Sequence, residues 1–462
     1  MRRISSASAL GGTVLDTDVG HQLAYARRML RWSQEGLAAR IRAAGIRRGT
    51  PVATTKKSIY WWERGRTPDE PTQALIADVF EVPDELREQL PWPYWLPGPQ
   101  VPELYRPWTA AGTVDALGDV LRSGRMDRRE FTILSGVTLT TLLHDFLTAE
   151  PAIAHAAVRG GRRISPAMVD HIAHQITDLQ RADDTHGGGD LVVEAEGLLS
   201  LTQHLLQTGS FSAERVKRRL YAQAADLGRM CGWMHFDIGW HAAGQRYFVA
   251  ALKSASSSGD ALLAANVLAF MSIQAYSTGH PDHADALVRT AQTAVRGRST
   301  PVVDAMLSAR QARALAKAGD TRSCYQALNR AVSHLERGPR DDDPPWAYWV
   351  NQAEIDMLTG SCMLDLGDAA AAQRKFTEAD AAYGPEYVRT HVLYLTRMAT
   401  AQLQQRLVDA ACASTSQALT LAAGVHSGRS SDHIRDAVKQ LHPYRRDPGV
   451  SDLLDRAETV IA

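Results

Sequence analysis

The sequence predicts an all-α protein: a compact N-terminal domain of five short helices, then a long helical-repeat solenoid. Three observations predict it. At 462 residues the chain is too long for one compact core. Its first 90 residues break into short amphipathic segments separated by caps and turn residues. Its C-terminal half repeats itself at intervals of 40, 40, 48 and 39 residues.

Residues 1–18 read as a flexible tail and 19–90 as the first domain. Leu23, Ala26 and Leu30 mark the buried side of a first helix. Ser33 is a good N-cap for a second, with Leu37, Ala38 and Ile41 inside. Thr55 caps a third, in which Ile59 and Trp62 face inward and Gly65 ends the run. Leu75, Ile76, Val79 and Phe80 make a fourth after Pro71, and Pro83 starts a fifth with Leu86 and Leu90 inside. Residues 91–112 form a linker in which proline disfavours helix and favours an extended chain. Its Trp92, Tyr94, Trp95 and Trp108 are too apolar to stay free and are expected to dock on a neighbouring domain. Residues 113–188 read as a helical connector with loops at Gly160-Gly161 and from Asp183 to Asp190. The second loop has no GxxxxGK[ST] pattern and no strand before it, so it is not a phosphate loop.

Residues 189–462 form the expected solenoid. With Gly239, Gly279, Gly319, Gly367 and Arg406 as anchors, the positions seven before are Gly232, Ser272, Ala312, Gly360 and Ala399. Five after stand Gly244, Ala284, Cys324, Ala372 and Ala411, and twelve after stands alanine every time. Nine after come Phe248, Val288, Leu328, Phe376 and Thr415. Two antiparallel helices pack closely only where small side chains face each other, and a bulky residue then fills the next layer. Small residues fixed on both helices of a pair, with a turn between, describe stacked helix pairs.

Charge and composition exclude several classes. The 51 basic and 51 acidic residues cancel, yet residues 20–70 carry eleven Lys/Arg against four Asp/Glu, leaving the remainder net acidic. A basic module on an acidic body suggests an anionic partner for that module alone. No run approaches the ~20 apolar residues of a membrane span, and Met1 to Gly12 lacks a secretory pattern, so a cytoplasmic protein with no membrane partner is expected. Cys231, Cys324, Cys362 and Cys412 are far apart in the sequence and read as reduced thiols. His171 and His174 near Asp178 lack a third ligand with suitable spacing. With no nucleophile elbow, Walker loop or paired carboxylates either, the sequence predicts neither an enzyme nor a metal or cofactor.

Three stretches carry a more specific likeness: Ser33-Gln34-Glu35-Gly36-Leu37-Ala38, Thr54-Thr55-Lys56-Lys57-Ser58-Ile59 and Trp62-Glu63-Arg64-Gly65-Arg66-Thr67-Pro68. Together they resemble the Cro/phage-repressor (XRE) helix-turn-helix family. The resemblance implies that the third helix enters the DNA major groove. Lys56, Lys57 and Trp61 then stand where base-reading side chains stand, flanked by Thr55 and Ser58. Gln34 stands where the family clamps the backbone, and Arg27 with Glu63 matches its buried ion pair. Chemistry agrees independently: Lys56 and Lys57 open a short helix within reach of guanine or phosphate, and Arg64 and Arg66 suit phosphates. Trp61 has two readings, a base or sugar contact or packing against the linker tryptophans. The chain departs from the family in about eleven extra residues around Ala43 to Ala53, with Arg47 and Arg48 among them. These read either as a basic wing beside the groove or as a surface insert.

The repeat resembles the tetratricopeptide repeat (TPR), without its conserved proline and with a period about six residues longer than the usual 34. Carrying that family's groove positions across places Asp226, Arg229, Trp233, Asn266, Tyr276, Arg313, Lys317 and Glu354 in an effector groove, with Asp237 and Asp365 beside them. The combined likeness is to TPR-containing transcriptional regulators of actinobacteria. It implies a homodimer on double-stranded DNA at a near-palindromic operator, tuned by a peptide, small-molecule or protein effector. The alternative is a TPR protein-interaction scaffold whose helix-turn-helix is accessory.

Overall fold

The computed structural model describes residues 22–80, 82, 87, 92–93, 95–96, 102–122, 136–149, 163–381, 387–424 and 427–461. The expected tail, most of the fifth helix from Pro83 and the Gly160-Gly161 loop lie outside them. The chain divides into two units, Met1–Pro99 with Phe131–Thr138 and Gln100–Glu130 with Leu139–Ala462. Both are helical; among the described residues the strands are the two-residue β1 (Arg163–Ile164) and β2 (Ser210–Phe211), paired parallel. No helix of the described residues is long and apolar enough to cross a membrane.

In the first unit α1 (Gln22–Met29), α2 (Gln34–Arg48), α3 (Lys56–Trp62) and α4 (Glu70–Val79) enclose one core. Leu23, Leu37, Ile41, Ile59 and Ile76 are fully buried in it. Ser33 is the expected cap, its Oγ accepting from Gly36 N at 2.9 Å; the fourth helix starts before Pro71, at Glu70, and is capped by Asp69. Leu30 differs from expectation; α1 stops before it, Arg31 turns left-handed and Leu30 is exposed. The tryptophan-rich stretch is not free linker at this end. Trp95 and Leu96 are buried in the core, and Gln22 Nε2 donates to the Leu96 carbonyl at 2.9 Å.

The residues around Ala43 to Ala53 form neither a wing nor a loose insert. They extend α2 to Arg48, where Gly49 (φ +72°) closes the helix and Thr50 N–H reaches back to the Gly45 carbonyl. Gly45 is required there, because a Cβ would lie 2.7 Å from the Thr50 carbonyl oxygen.

The second unit opens with α5 (Pro102–Tyr105), α6 (Ala110–Arg122), α7 (Gly136–Thr148, which belongs to this unit from Leu139 on), α8 (Pro166–His186) and α9 (Val192–Thr208). The proline-rich segment is thus helical at 102–105, where Glu103 makes a buried two-bond pair with Arg246 at 2.6 and 3.0 Å. Helices α6, α8 and α9 share one apolar core with the first repeat, so residues 113–188 are not a separate layer where described.

Five helix pairs follow: α10 (Glu214–Asp237) with α11 (His241–Ser258), α12 (Ala261–Ser277) with α13 (Pro281–Ala294), α14 (Pro301–Lys317) with α15 (Thr321–Leu335), α16 (Gln352–Asp365) with α17 (Ala369–Asp380), and α18 (Val388–Gln404) with α19 (Val408–Ala422). Helices α20 (Gly428–Leu441) and α21 (Pro448–Ile461) extend the stack. Each anchor of the sequence repeat is the left-handed residue of a turn, with φ of +86°, +86°, +76°, +88° and, at Arg406, +61°. The small positions meet across each pair: a Cβ on Gly232 would lie 2.6 Å from the Phe248 ring, and one on Gly244 2.7 Å from the Gly232 carbonyl. All five alanines twelve after the anchors are buried. All four thiols are free, and Cys231, Cys324 and Cys362 are buried.

Candidate functional site

In the first unit the caps and the core fix which way α3 faces. Ile59 and Trp62 point inward, so Lys56, Lys57, Tyr60, Trp61 and Arg64 stand on the opposite side, all exposed. Thr55 and Ser58 cap the helix reciprocally, each hydroxyl accepting from the other residue's N–H at 3.3 and 3.2 Å. Their side chains therefore shape the helix start first of all. Trp61 does not pack with the linker tryptophans: it is 45% exposed with its ring edge-on to Tyr60, while Trp92 and Trp95 contact each other. Arg64 folds over the Tyr60 ring at 3.6 Å, and Arg66 is free at the surface.

A small polar network holds this face. Arg27 Nε and Nη2 donate to the two oxygens of Glu63 at 2.6 and 3.2 Å, joining α1 to the end of α3. Gln34 Nε2 donates to Glu63 Oε2 at 2.6 Å. The expected backbone-clamping Gln34 thus spends its amide inside the protein, because Glu63 lies one bond away. Arg48 pairs with Asp78 on α4 instead of standing free on a wing; Arg47 remains exposed.

The second unit contains a cavity of about 1310 Å³ measured out to solvent. Arg229, Trp233, Asn266, Tyr276, Arg313 and Glu354 line it, and so does Asp237. Two groove candidates stand outside it. Asp226 accepts from Arg229 at 2.7 and 2.9 Å and from Gln180, holding the arginine in place. Lys317 pairs with Asp365 beside a smaller adjoining cavity.

Sequence reasoning missed several lining residues. The position nine before each anchor holds Met230, Phe270, Arg310, Leu358 and Arg397, and all five line the cavity. That register was available but was not carried through. Asp183 and Asp184 were expected in a loop; they lie in the last turn of α8, where Arg389 binds Asp183 at 2.9 Å and Tyr348 bonds Asp184. Those pairings join α8 to later parts of the body, across 206 residues of sequence for Arg389–Asp183 and 164 for Tyr348–Asp184.

The electrostatics of the cavity are uneven. Burial raises the Asp237 and Asp184 carboxyls above their usual range. Burial, reinforced by Arg313, brings Arg397 down to about 10, and burial lowers Arg429 as well. Burial and then Arg397, Arg429, Lys317 and Arg313 push His433 down to about 2, so it is neutral. For Arg313 burial opposes the charge, but Asp365 at 2.6 Å outweighs it.

A family model described as the SP15 N-terminal domain matches residues 23–83, the stretch that holds α1 to α4. The matched description is neither of the families that the motifs resemble. No curated protein matches the chain.

Proposed function

We propose that the chain is a DNA-binding transcriptional regulator. Helix α3 reads the major groove of a near-palindromic operator, and the repeat body dimerises and senses an effector. The observation that carries the reading is the exposed face of Lys56, Lys57, Trp61 and Arg64 on a helix fixed by the Arg27–Glu63 pair, in a module of net positive charge. A recognition helix must be rigid towards its own domain and open towards solvent, and both hold for α3. Lys56 and Lys57 supply donors for guanine edges or phosphates, Arg66 a phosphate contact, and Trp61 a flat apolar surface for a thymine methyl or a sugar. An effector acts on such a system only through its different affinity for two states of the body.

The test is fluorescence anisotropy with an operator recovered by sequencing the genomic DNA that co-purifies with the protein. Affinity falls steeply with salt, as expected when lysines and arginines release counter-ions from phosphates. Lys56→Ala and Lys57→Ala each cost about 1–3 kcal/mol on the operator if they read bases. Equal losses on operator and random duplex would reduce them to phosphate contacts, and a flat salt titration would remove the DNA reading altogether.

A further inference from the structure

Of the arginines that line the body's cavity, Arg229, Arg313 and Arg389 have carboxylate partners among the described residues, and Arg310 lies over the Trp349 ring. Arg229 has Asp226, Arg389 has Asp183, and Arg313 shares Asp365 with Lys317. Arg397 and Arg429 line the same cavity, and among the described residues neither has a carboxylate within ion-pair distance. Both are partly withdrawn from water; Arg397 feels Arg313 and Asp365 and then Arg429, while Arg429 feels Asp237 and Arg389. His433 faces them and is neutral, so it supplies no counter-charge.

Withdrawing a guanidinium from water without a counter-ion is costly, and such groups concentrate at binding sites, where a ligand supplies the missing charge. A planar guanidinium suits carboxylate and phosphate oxygens. Two further features point the same way. Asn266 Oδ1 is buried, lines the cavity and has no hydrogen-bond partner among the described residues, so it is an acceptor ready for a ligand N–H or O–H. Aromatic faces stand nearby, with Trp233 under Arg429 at 5.2 Å and Tyr276 beside Arg313 at 5.5 Å.

We propose that this cavity binds a small organic anion: a carboxylate or phosphate on Arg397 and Arg429, a planar body against Trp233 and Tyr276, and a donor on Asn266 Oδ1. A small molecule fits better than an extended peptide, because Arg389–Asp183 and Tyr348–Asp184 join α8 to later parts of the body within the cavity lining. The assignment rests on the sensing half of the function proposed above, and its test involves no DNA. Anion binding without any change in operator affinity would therefore sink only the regulatory reading.

The experiment follows thermal unfolding and tryptophan fluorescence of the full chain with phenyl phosphate, phenylacetate and neutral phenylacetamide at matched ionic strength. Saturable stabilisation by the anions and not by the amide is expected, and whichever anion binds tighter identifies the head group. Arg397→Gln and Arg429→Gln each weaken the response by about 10- to 100-fold, the effect of losing a charge-assisted hydrogen bond. Without ligand, Arg397→Gln unfolds no earlier than the parent, since the deleted charge had no ion-pair partner among the described residues, whereas Arg429→Gln gives up the contact of its guanidinium with the Trp233 and Phe236 rings. Equal stabilisation by the amide, no response to either anion, or unchanged affinity in the variants would overturn the proposal. So would a ligand-free Arg397→Gln of lower stability, which would make that arginine structural, and displacement of the probe by peptides alone.

Discussion

At the scale of single residues, Glu63 does the most for the least. Its carboxylate is largely buried, accepts from Arg27 and from Gln34, and so ties α1, the start of α2 and the end of α3 at one point. Glu63→Ala leaves a buried guanidinium without its counter-ion, an outcome that costs about 3–5 kcal/mol when one partner of a buried pair is removed. Because the chain has two units, a global melting curve would blur the effect. Hydrogen exchange resolves it: faster exchange in residues 22–80 with the repeats unchanged is expected, and unaltered protection there would deny the pair its role. The pair itself was legible in the sequence through the motif that holds both residues. Gln34's bond to the same carboxylate was not, since an amide facing inward or outward is decided by a few ångströms of helix placement.

At the scale of elements, the turn between paired helices is the repeating device. Four of the five turns use glycine at the left-handed position; the fifth uses Arg406 at φ +61°. The left-handed region costs a side-chain-bearing residue about 1–2 kcal/mol, and glycine gives back roughly 0.5–1 kcal/mol through the freedom of its unfolded chain. Arg406→Gly therefore stabilises the last pair by about 0.5–1 kcal/mol, measurable as a higher denaturation midpoint; a lower midpoint would mean that Arg406 makes contacts worth more than its strain. The opposite substitution type is Gly232→Ala, whose Cβ would meet the Phe248 ring at 2.6 Å and the Gly244 carbonyl at 2.9 Å. Overpacking of that kind costs about 1–3 kcal/mol, again read from the midpoint. These elements were readable beforehand because close helix approach imposes a size limit at fixed spacing, and size limits leave a trace in composition. The extension of α2 was missed although Ala43, Ala44, Arg47 and Arg48 are good helix formers and Gly49 is a good stop. The family spacing argued for a turn, and local propensity won. The last turn of α8 was missed for the converse reason: Asp183-Asp184-Thr185-His186 is polar enough to read as loop, and only the distant Arg389 makes a helix end there worth burying.

At the scale of the repeat body as a whole, folding gathers like charge from α14, α18 and α20 around one imidazole. Lys317, Arg313, Arg397 and Arg429 come from three separate helix stretches, and His433 is held among them. The consequence is a predictable sensitivity to acid. An unfolded chain protonates this imidazole near its ordinary value of 6.5, while burial and the four cations keep it neutral in the native protein down to about 2. Between those values the unfolded state binds the extra proton, so stability rises with pH and is lost as pH falls below 6.5. Each unit of pH in that window removes up to about 1.4 kcal/mol per such group. His241 and His334, both lowered by burial first of all, add in the same direction, whereas Asp365, held low mainly by Arg313 and Lys317 against burial, adds only below the ordinary carboxylate range. His433→Asn keeps a polar group of similar reach without the titration. Denaturation midpoints of the parent and His433→Asn should diverge as the medium is acidified from neutrality, with the variant the more stable in acid, because only the parent's unfolded state gains a proton that the native state refuses. Arg397→Gln should act on the same slope from the other side, drawing the imidazole back towards its ordinary value and shrinking the window. If both variants keep the parent's full pH slope, the acid sensitivity lies elsewhere in the chain and the positive wall is too well solvated to govern its neighbours.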